Sequence, residues 1–337
     1  LSLFGVRSDE GGFYGVVDLF SHEIAHQWWG NLVAPGASDS VWLSEGFAEF
    51  SSKLHSEQRT GSRWGFMANG MSYVYGVPAA DDSAIADTLT LINPHYVTIE
   101  YSKGSCVLDM LRHELGEGIF FELLQAYAER FGEGLATVAD FEALAAEVSG
   151  QDLAWFFEQW LHRTGYPRAT LGVERGSQAT EGGLLLHVDQ DPASFFRFTL
   201  PLRARCADGE TEWVQAPVDA ASVSVTLTAC GGAVRGLDPD PERRLLRRFS
   251  TGMSPDINLD GSSDAADLLD MAWYYGRDIV FDGRDGGSWF WPNGSYRDLA
   301  DLTGPTPEKP DGRVDMTDVE LLVALLEAVS WTDPRSR

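Results

Sequence analysis

His22-Glu23-Ile24-Ala25-His26, with Glu45 following inside Trp42-Leu43-Ser44-Glu45-Gly46-Phe47-Ala48, decides most of what this 337-residue chain can be. On a helix the two histidines are four residues apart, so their imidazoles leave one face with Cβ atoms about 5–6 Å from each other, close enough to share one metal ion. A carboxylate from a second helix, Glu45, completes a set of two nitrogens and one oxygen. Such a set leaves the fourth tetrahedral position of zinc open, which is the mark of a catalytic rather than a structural site. Glu23 then stands beside the ion without binding it.

The chemistry assigns the parts. A peptide carbonyl is a poor electrophile and its nitrogen a poor leaving group. Zinc polarises the carbonyl and lowers the pKa of bound water to about 7, while Glu23 takes the proton as general base and returns it to the departing amine. His22, His26 and Glu45 are the expected zinc ligands, with one ion, and Glu23 is a catalytic residue.

The words His26-Gln27-Trp28-Trp29-Gly30-Asn31 and Trp42-Leu43-Ser44-Glu45-Gly46, at this spacing, resemble the zinc aminopeptidase family typified by aminopeptidase N. The resemblance implies a mainly helical, thermolysin-like catalytic domain acting on peptide or protein substrates. It also gives Tyr101, in Tyr101-Ser102-Lys103-Gly104-Ser105, the role of hydrogen-bond donor to the tetrahedral intermediate, worth a few kcal/mol of barrier. A helical run with Val107, Leu108, Leu111 and Leu115 on one side follows it. The likeness runs through Phe156-Phe157-Glu158-Gln159-Trp160-Leu161 and Gly165-Tyr166-Pro167, over about three quarters of the chain.

Two departures from the family pattern matter. Ser44 stands where the family often has Asn. The family's Gly-Xaa-Met-Glu-Asn segment, whose glutamate binds the substrate's free amine, is not in view ahead of His22, and the sequence reads as the C-terminal portion of a longer protein. Removal of N-terminal residues therefore rests on resemblance, whereas hydrolysis at zinc rests on the residues. A thermolysin-type endopeptidase is one alternative. A non-catalytic scaffold-docking protein with a relic peptidase fold is another.

The expected architecture is multidomain α+β in three parts: the zinc domain at residues 1–166, a β-sandwich at 167–250 and a small α calcium-loop module at 251–337. From Asp18 to about Arg163 the pattern is mainly helical, with Thr137 and Asp140 forming a capping-box signal and Gly150 a stop. From about Thr170 the period becomes two: Leu184, Leu186 and Val188; Leu200, Leu202 and Ala204; Val223, Val225 and Leu227. Asp208-Gly209 marks a hairpin turn. Of three cysteines, Cys106 reads as a buried small hydrophobe. Cys206 and Cys230 are available for a disulfide in an exported chain, although strand parity puts Cys230 out of phase unless a bulge restores it.

Near the C-terminus Asp256, Asn258, Asp260, Gly261, Ser262, Asp264 and Asp267 match the ligand and glycine positions of a calcium loop. No helix enters before Pro255 and Asp267 replaces the usual glutamate, traits that resemble a dockerin. A weaker second loop carries Asp311, Asp315 and Asp318, but Pro307 and Lys309 occupy its first two ligand positions, so one or two calcium ions are expected. The dockerin resemblance implies a cohesin-like scaffold or cell-surface partner and a secreted or cell-surface, bacterial location. A net charge of −26 works against binding nucleic acid. No apolar stretch approaches the roughly twenty residues of a membrane span.

Overall fold

The computed structural model describes residues 10–175, 183–252, 254–274, 280–282, 288–290, 314 and 316–332. The chain divides into two compact units, Leu1–Gly165 with Glu242–Leu246, and Tyr166–Pro241 with Arg247–Arg337. The residues expected as two modules, 167–250 and 251–337, thus fall almost wholly in the second unit.

The first unit is helical: α1 (Glu10–Ala25), α2 (Trp42–Thr60), α3 (Trp64–Gly76), α4 (Gly104–Leu115), α5 (Glu117–Phe131), α6 (Val138–Ser149) and α7 (Ala154–Leu161). Helix α2 shows how local chemistry sets these elements. Its apolar residues Leu43, Phe47 and Phe50 recur at helical spacing and are buried, and the chain leaves it through Gly61, whose left-handed φ of 69° returns its N–H to the Glu57 carbonyl. Helix α6 starts on a full capping box, Thr137 and Asp140 satisfying each other's backbone amides, and stops at Gly150 with φ 65°. In α4, Val107, Leu108, Leu111 and Leu115 are all buried.

The core is aromatic. Phe47 and Phe141 meet edge to face at 5.2 Å, and Tyr127 packs on both at 5.6 and 5.3 Å, geometries that the ring quadrupoles favour. A short parallel pair, β1 (Val33–Pro35) with β2 (Gly134–Ala136), interrupts the helical reading and ties the chain leaving the histidine segment to the α5–α6 connection. Between Arg63, Glu57, Asp109 and Arg112 lies a buried ion network, with Arg112 bonded to Glu57 at 2.9 Å and Arg63 paired to Asp109.

The two larger sheets among the described residues lie in the second unit. One has four strands in the order β7 (Ser222–Leu227), β4 (Leu184–Gln190), β3 (Arg168–Glu174), β9 (Arg248–Ser250). The other has three, β6 (Thr211–Val218), β5 (Phe198–Cys206), β8 (Val234–Pro239). All pairings are antiparallel except β3 with β9, which is parallel. Leu171, Leu186, Val188, Leu200, Leu202 and Leu237 are fully buried, and Phe198 stacks on Phe249 at 6.2 Å. Gly209, φ 91°, makes the hairpin turn between β5 and β6.

Cys206 and Cys230 are joined in a disulfide, and the parity objection fails for a local reason. The two-residue period ends with β7 at Leu227, and Cys230 lies beyond it in a tight turn with φ 58°. Cys106 is the buried, unpaired cysteine. Beyond β9, Ala265–Tyr274 forms α8, Val280–Asp282 pairs with Ser288–Phe290 as the hairpin β10–β11, and Met316–Thr332 forms α9. Among the described residues no helix is long and apolar enough to cross a membrane.

Candidate metal centre

Helix α1 delivers His22, and the turn that follows delivers His26, whose amide still bonds the His22 carbonyl at 3.2 Å. That turn works only with glycine at position 30: its φ is 110°, and a Cβ there would overlap the Ser44 hydroxyl. Trp29 O, set by the turn, accepts from His26 Nδ1 at 2.9 Å, and Ser44 Oγ lies 3.4 Å from the same nitrogen. The Nε2 of His26 is thereby turned inward.

Glu45 comes from the first turn of α2. Its Oε2 lies 3.4 Å from His22 Nε2 and 3.3 Å from His26 Nε2, and the two Nε2 atoms are 3.2 Å apart. Three donors bound to zinc at about 2.0–2.1 Å stand about 3.3–3.4 Å from one another at the corners of a tetrahedron. The triangle here matches that edge on all three sides, and its atoms are imidazole nitrogen and carboxylate oxygen, so these residues fit zinc. Among the described residues, the other comparably tight group, Cys206, Glu212 and Cys230, has its two sulfurs committed to the disulfide.

Tyr101 reaches the triangle through a close helix crossing. Residues Thr98–Lys103 form a widened π-helical turn ahead of α4, a distortion that recurs at functional sites. The Gly104 that follows faces Gly46 of α2 so closely that a Cβ on Gly104 would stand 3.3 Å from the Gly46 Cα. The Tyr101 ring lies parallel to His22, at 5.6 Å and 4°, and its hydroxyl hydrogen-bonds Glu45 and Tyr96. Glu23 is exposed and lines the same open cavity of ≈ 500 Å³ as the three donors and Tyr101.

Electrostatics favour a cation among these atoms. Burial works to lower the His22 pKa, yet hydrogen bonds to Glu45 and Glu49 outweigh it and push it up to about 9. Burial would raise Glu45, but His22 and Tyr101 hold it below the usual range. The Tyr101 hydroxyl is raised by burial and by the Glu45 charge, so it stays protonated and available as a donor.

Sequence reasoning passed over Glu49, and took Ser44 and Gly30 only as parts of the family pattern, with no role in holding His26. Glu49 was legible as the residue one turn beyond Glu45 on α2, since positions four apart share a helix face. Its Oε2 lies 3.2 Å from His22 Nδ1. Burial would raise its carboxyl, but His22, Lys53 and Asn69 bring it down to about 2.

In the second unit the acidic loop curls around its own side chains. Asp256 accepts from the amides of Asp260 and Gly261 at 3.0 Å each, and Asn258 Oδ1 from Asp260 N at 2.9 Å. Asp260 accepts from Ser262 N at 2.8 Å, and Asp267 from Asn258 N and Asp264 N at 3.2 and 2.8 Å. Asp264 is turned outward, accepting from Ala266 N at 2.8 Å. Burial, with neighbouring carboxylates adding, pushes Asp256 up to about 7 and Asp267 up to about 6. The loop is stitched to the β strands: Leu237 N donates to Asn258 O at 2.9 Å, Arg205 holds Asp270 at 2.7 Å, and Arg175 lies 3.3 Å from Asp260. Asp311 and Asp315 of the expected second loop lie outside the described residues; Asp318 is fully buried on α9.

Residues 10–160 match the peptidase family M1 domain. Relatives of this segment include aminopeptidases. The chain is 30% identical over 161 residues to the alanine/arginine aminopeptidase of Saccharomyces cerevisiae, covering 45% of the chain and 19% of that protein. It is 32% identical over 160 residues to aminopeptidase N of Lactococcus lactis, covering 44% and 19%. With glutamyl aminopeptidase of Mus musculus it shares 27% identity over 241 residues, covering 67% and 25%. The chain spans about a fifth to a quarter of the length of these relatives. A similar fold is found in the crystal structure of Legionella pneumophila aminopeptidase A in complex with aspartic acid, with a TM-score of 0.59 at 17% identity, covering 79% of this chain and 31% of that one.

Proposed function

We propose that this chain carries the hydrolytic centre of a secreted zinc aminopeptidase, with His22, His26 and Glu45 holding the metal. The observation that carries the reading is the triangle of three donor atoms 3.2–3.4 Å apart, opening on one cavity with Glu23 and Tyr101. Bound there, zinc supplies Lewis acidity, polarising a carbonyl and acidifying water. Glu23, exposed at the cavity, takes the proton from water and delivers it to the leaving amine. Tyr101 keeps its proton and donates a hydrogen bond where negative charge develops on the carbonyl oxygen.

The disulfide between Cys206 and Cys230 supports an oxidising, extracytoplasmic setting. The loop from Asp256 to Asp267 is read as a calcium site of dockerin type. Two buried carboxylates with raised pKa values gain from a cation that neutralises them. Such a module would attach the enzyme to a cohesin-like scaffold or cell-surface partner.

The test is hydrolysis, by the zinc-loaded chain, of one fluorogenic peptide with a free N-terminus and of the same peptide acetylated, with Glu23→Gln as the blank. Cleavage of the free form alone is expected. Cleavage of both makes the enzyme an endopeptidase. Cleavage of neither, in a chain that binds zinc, overturns the reading that these residues suffice for hydrolysis.

A further inference from the structure

The two histidines of the metal triangle are oriented by different means. His26 is fixed mainly by main chain, through Trp29 O at 2.9 Å. His22 depends on one replaceable side chain, Glu49, whose Oε2 lies 3.2 Å from its Nδ1. The other oxygen of Glu49 is gripped from two sides. Asn69 Nδ2 of α3 donates to Oε1 at 2.9 Å and Lys53 Nζ of α2 at 3.1 Å. Each donor is itself anchored: Lys53 to Asp18 of α1 at 3.2 Å, and Asn69 to Ser105 of α4 at 3.0 Å. Four helices thus converge on one carboxylate that plays no part in the triangle.

We propose that Glu49 is a positioning residue that holds His22 as the Nδ1–H tautomer, so that the Nε2 lone pair faces the metal. The inference rests on the zinc reading given above. A carboxylate only accepts, so a neutral His22 facing it must carry its proton on Nδ1. Lys53 has no acceptor to offer and occupies the far side of the carboxylate, which fixes which end any replacement must present.

The consequence is unusual for an isosteric change. In Glu49→Gln, Lys53 forces the amide oxygen to its own side and so turns the NH₂ toward His22. His22 Nδ1 must then accept, its proton moves to Nε2, and the nitrogen that should bind metal is blocked. Removing Lys53 as well leaves only Asn69, whose own amide can flip to offer Oδ1 to the introduced NH₂ while the Ser105 hydroxyl donates to it, so the amide oxygen is free to face His22 again.

The experiment measures zinc dissociation constants by competition with a chromophoric chelator for wild type, Glu49→Gln and Glu49→Gln/Lys53→Met, with thermal melting of each metal-free protein alongside. Glu49→Gln is expected to bind zinc about 10–100-fold more weakly, and the double variant to recover part of that loss. A part that merely stabilised the fold would change melting without this reversal. Equal affinity of wild type and Glu49→Gln overturns the proposal, as does a double variant no tighter than the single one. Failure of wild type to bind zinc would sink the zinc reading itself, a distinct outcome. Long-range ¹H–¹⁵N correlation on the zinc-loaded wild type asks the same question without any variant: His22 protonated at Nδ1 is expected, and His22 protonated at Nε2 overturns the proposal.

Discussion

Replacing Gly46 by alanine adds one methyl group at the point where α2 crosses the start of α4. The new Cβ would stand 3.1 Å from the Glu100 carbonyl oxygen and 3.4 Å from both the carbonyl carbon and the Cα of Gly104. These are backbone atoms, so no rotamer change relieves the contact. The segment carrying Glu100 and Tyr101 must retreat by about 0.3 Å to restore ordinary contact. Overpacking of this kind costs about 1–3 kcal/mol. The better helix propensity of alanine returns about 1 kcal/mol. Net destabilisation is therefore small, about 0–2 kcal/mol. The effect on chemistry is larger in proportion, because misplacing a catalytic group by 1 Å costs about 100-fold and a third of that shift costs about fivefold. Kinetics on the free-amine peptide should show a several-fold fall in kcat, while the zinc dissociation constant stays near wild type because the three donors do not hang from the displaced segment. A variant with wild-type kcat and melting temperature would refute the claim that this crossing sets the position of Tyr101. So would a kcat loss fully explained by weaker zinc binding.

Tyr101→Phe should lower kcat by about 10²–10³ with zinc affinity and melting little changed, and an unaltered kcat would remove Tyr101 from the chemistry. Burial raises the Glu100 carboxyl to about 8, with Lys103 opposing and Glu45 adding. A folded pKa above the unfolded value gives stability that is complete below about pH 4 and lost as pH rises through about 8, so metal-free Glu100→Gln should flatten the decline between pH 5 and 8. An identical slope in wild type and variant would count against it. Closing a chain separation of 24 residues, the Cys206–Cys230 bridge should contribute about 3–4 kcal/mol, and the double alanine variant should melt correspondingly lower; no change in melting would contradict this. Chelating calcium should speed amide exchange at Leu237 in β8 together with α8, because the Leu237 N–H bonds the loop carbonyl of Asn258. Fast exchange confined to α8 would mean that the loop and the strand do not act together.

Much of the site was legible because it depends on short spacings. The interval from His22 to His26 puts two imidazoles on one face whatever the rest of the chain does, and the Thr137–Asp140 box and the Gly150 stop act through their own neighbours' amides. The fall from alternation to a tight turn after Leu227 was not legible. Its signal, Gly231-Gly232 beside Cys230, is weaker than the run of alternating valines before it, so strand parity alone puts Cys230 out of phase unless a bulge intervenes.

What the sequence alone determined is the set of chemical groups and the local geometry that one helical turn imposes on them. Only the tertiary structure decided what separates Glu45 from Glu49. Both sit on one face of α2, one turn apart, and their roles differ because one meets the Nε2 atoms of two histidines and the other meets Nδ1 of His22 with Lys53 and Asn69 behind it. The same holds for Tyr101, which reaches Glu45 because two glycines from distant parts of the chain let α2 and α4 approach. Periodicity fixes which face a side chain lies on. Which atoms that face meets is set by the distance between helices, a property of packing among residues far apart in the chain.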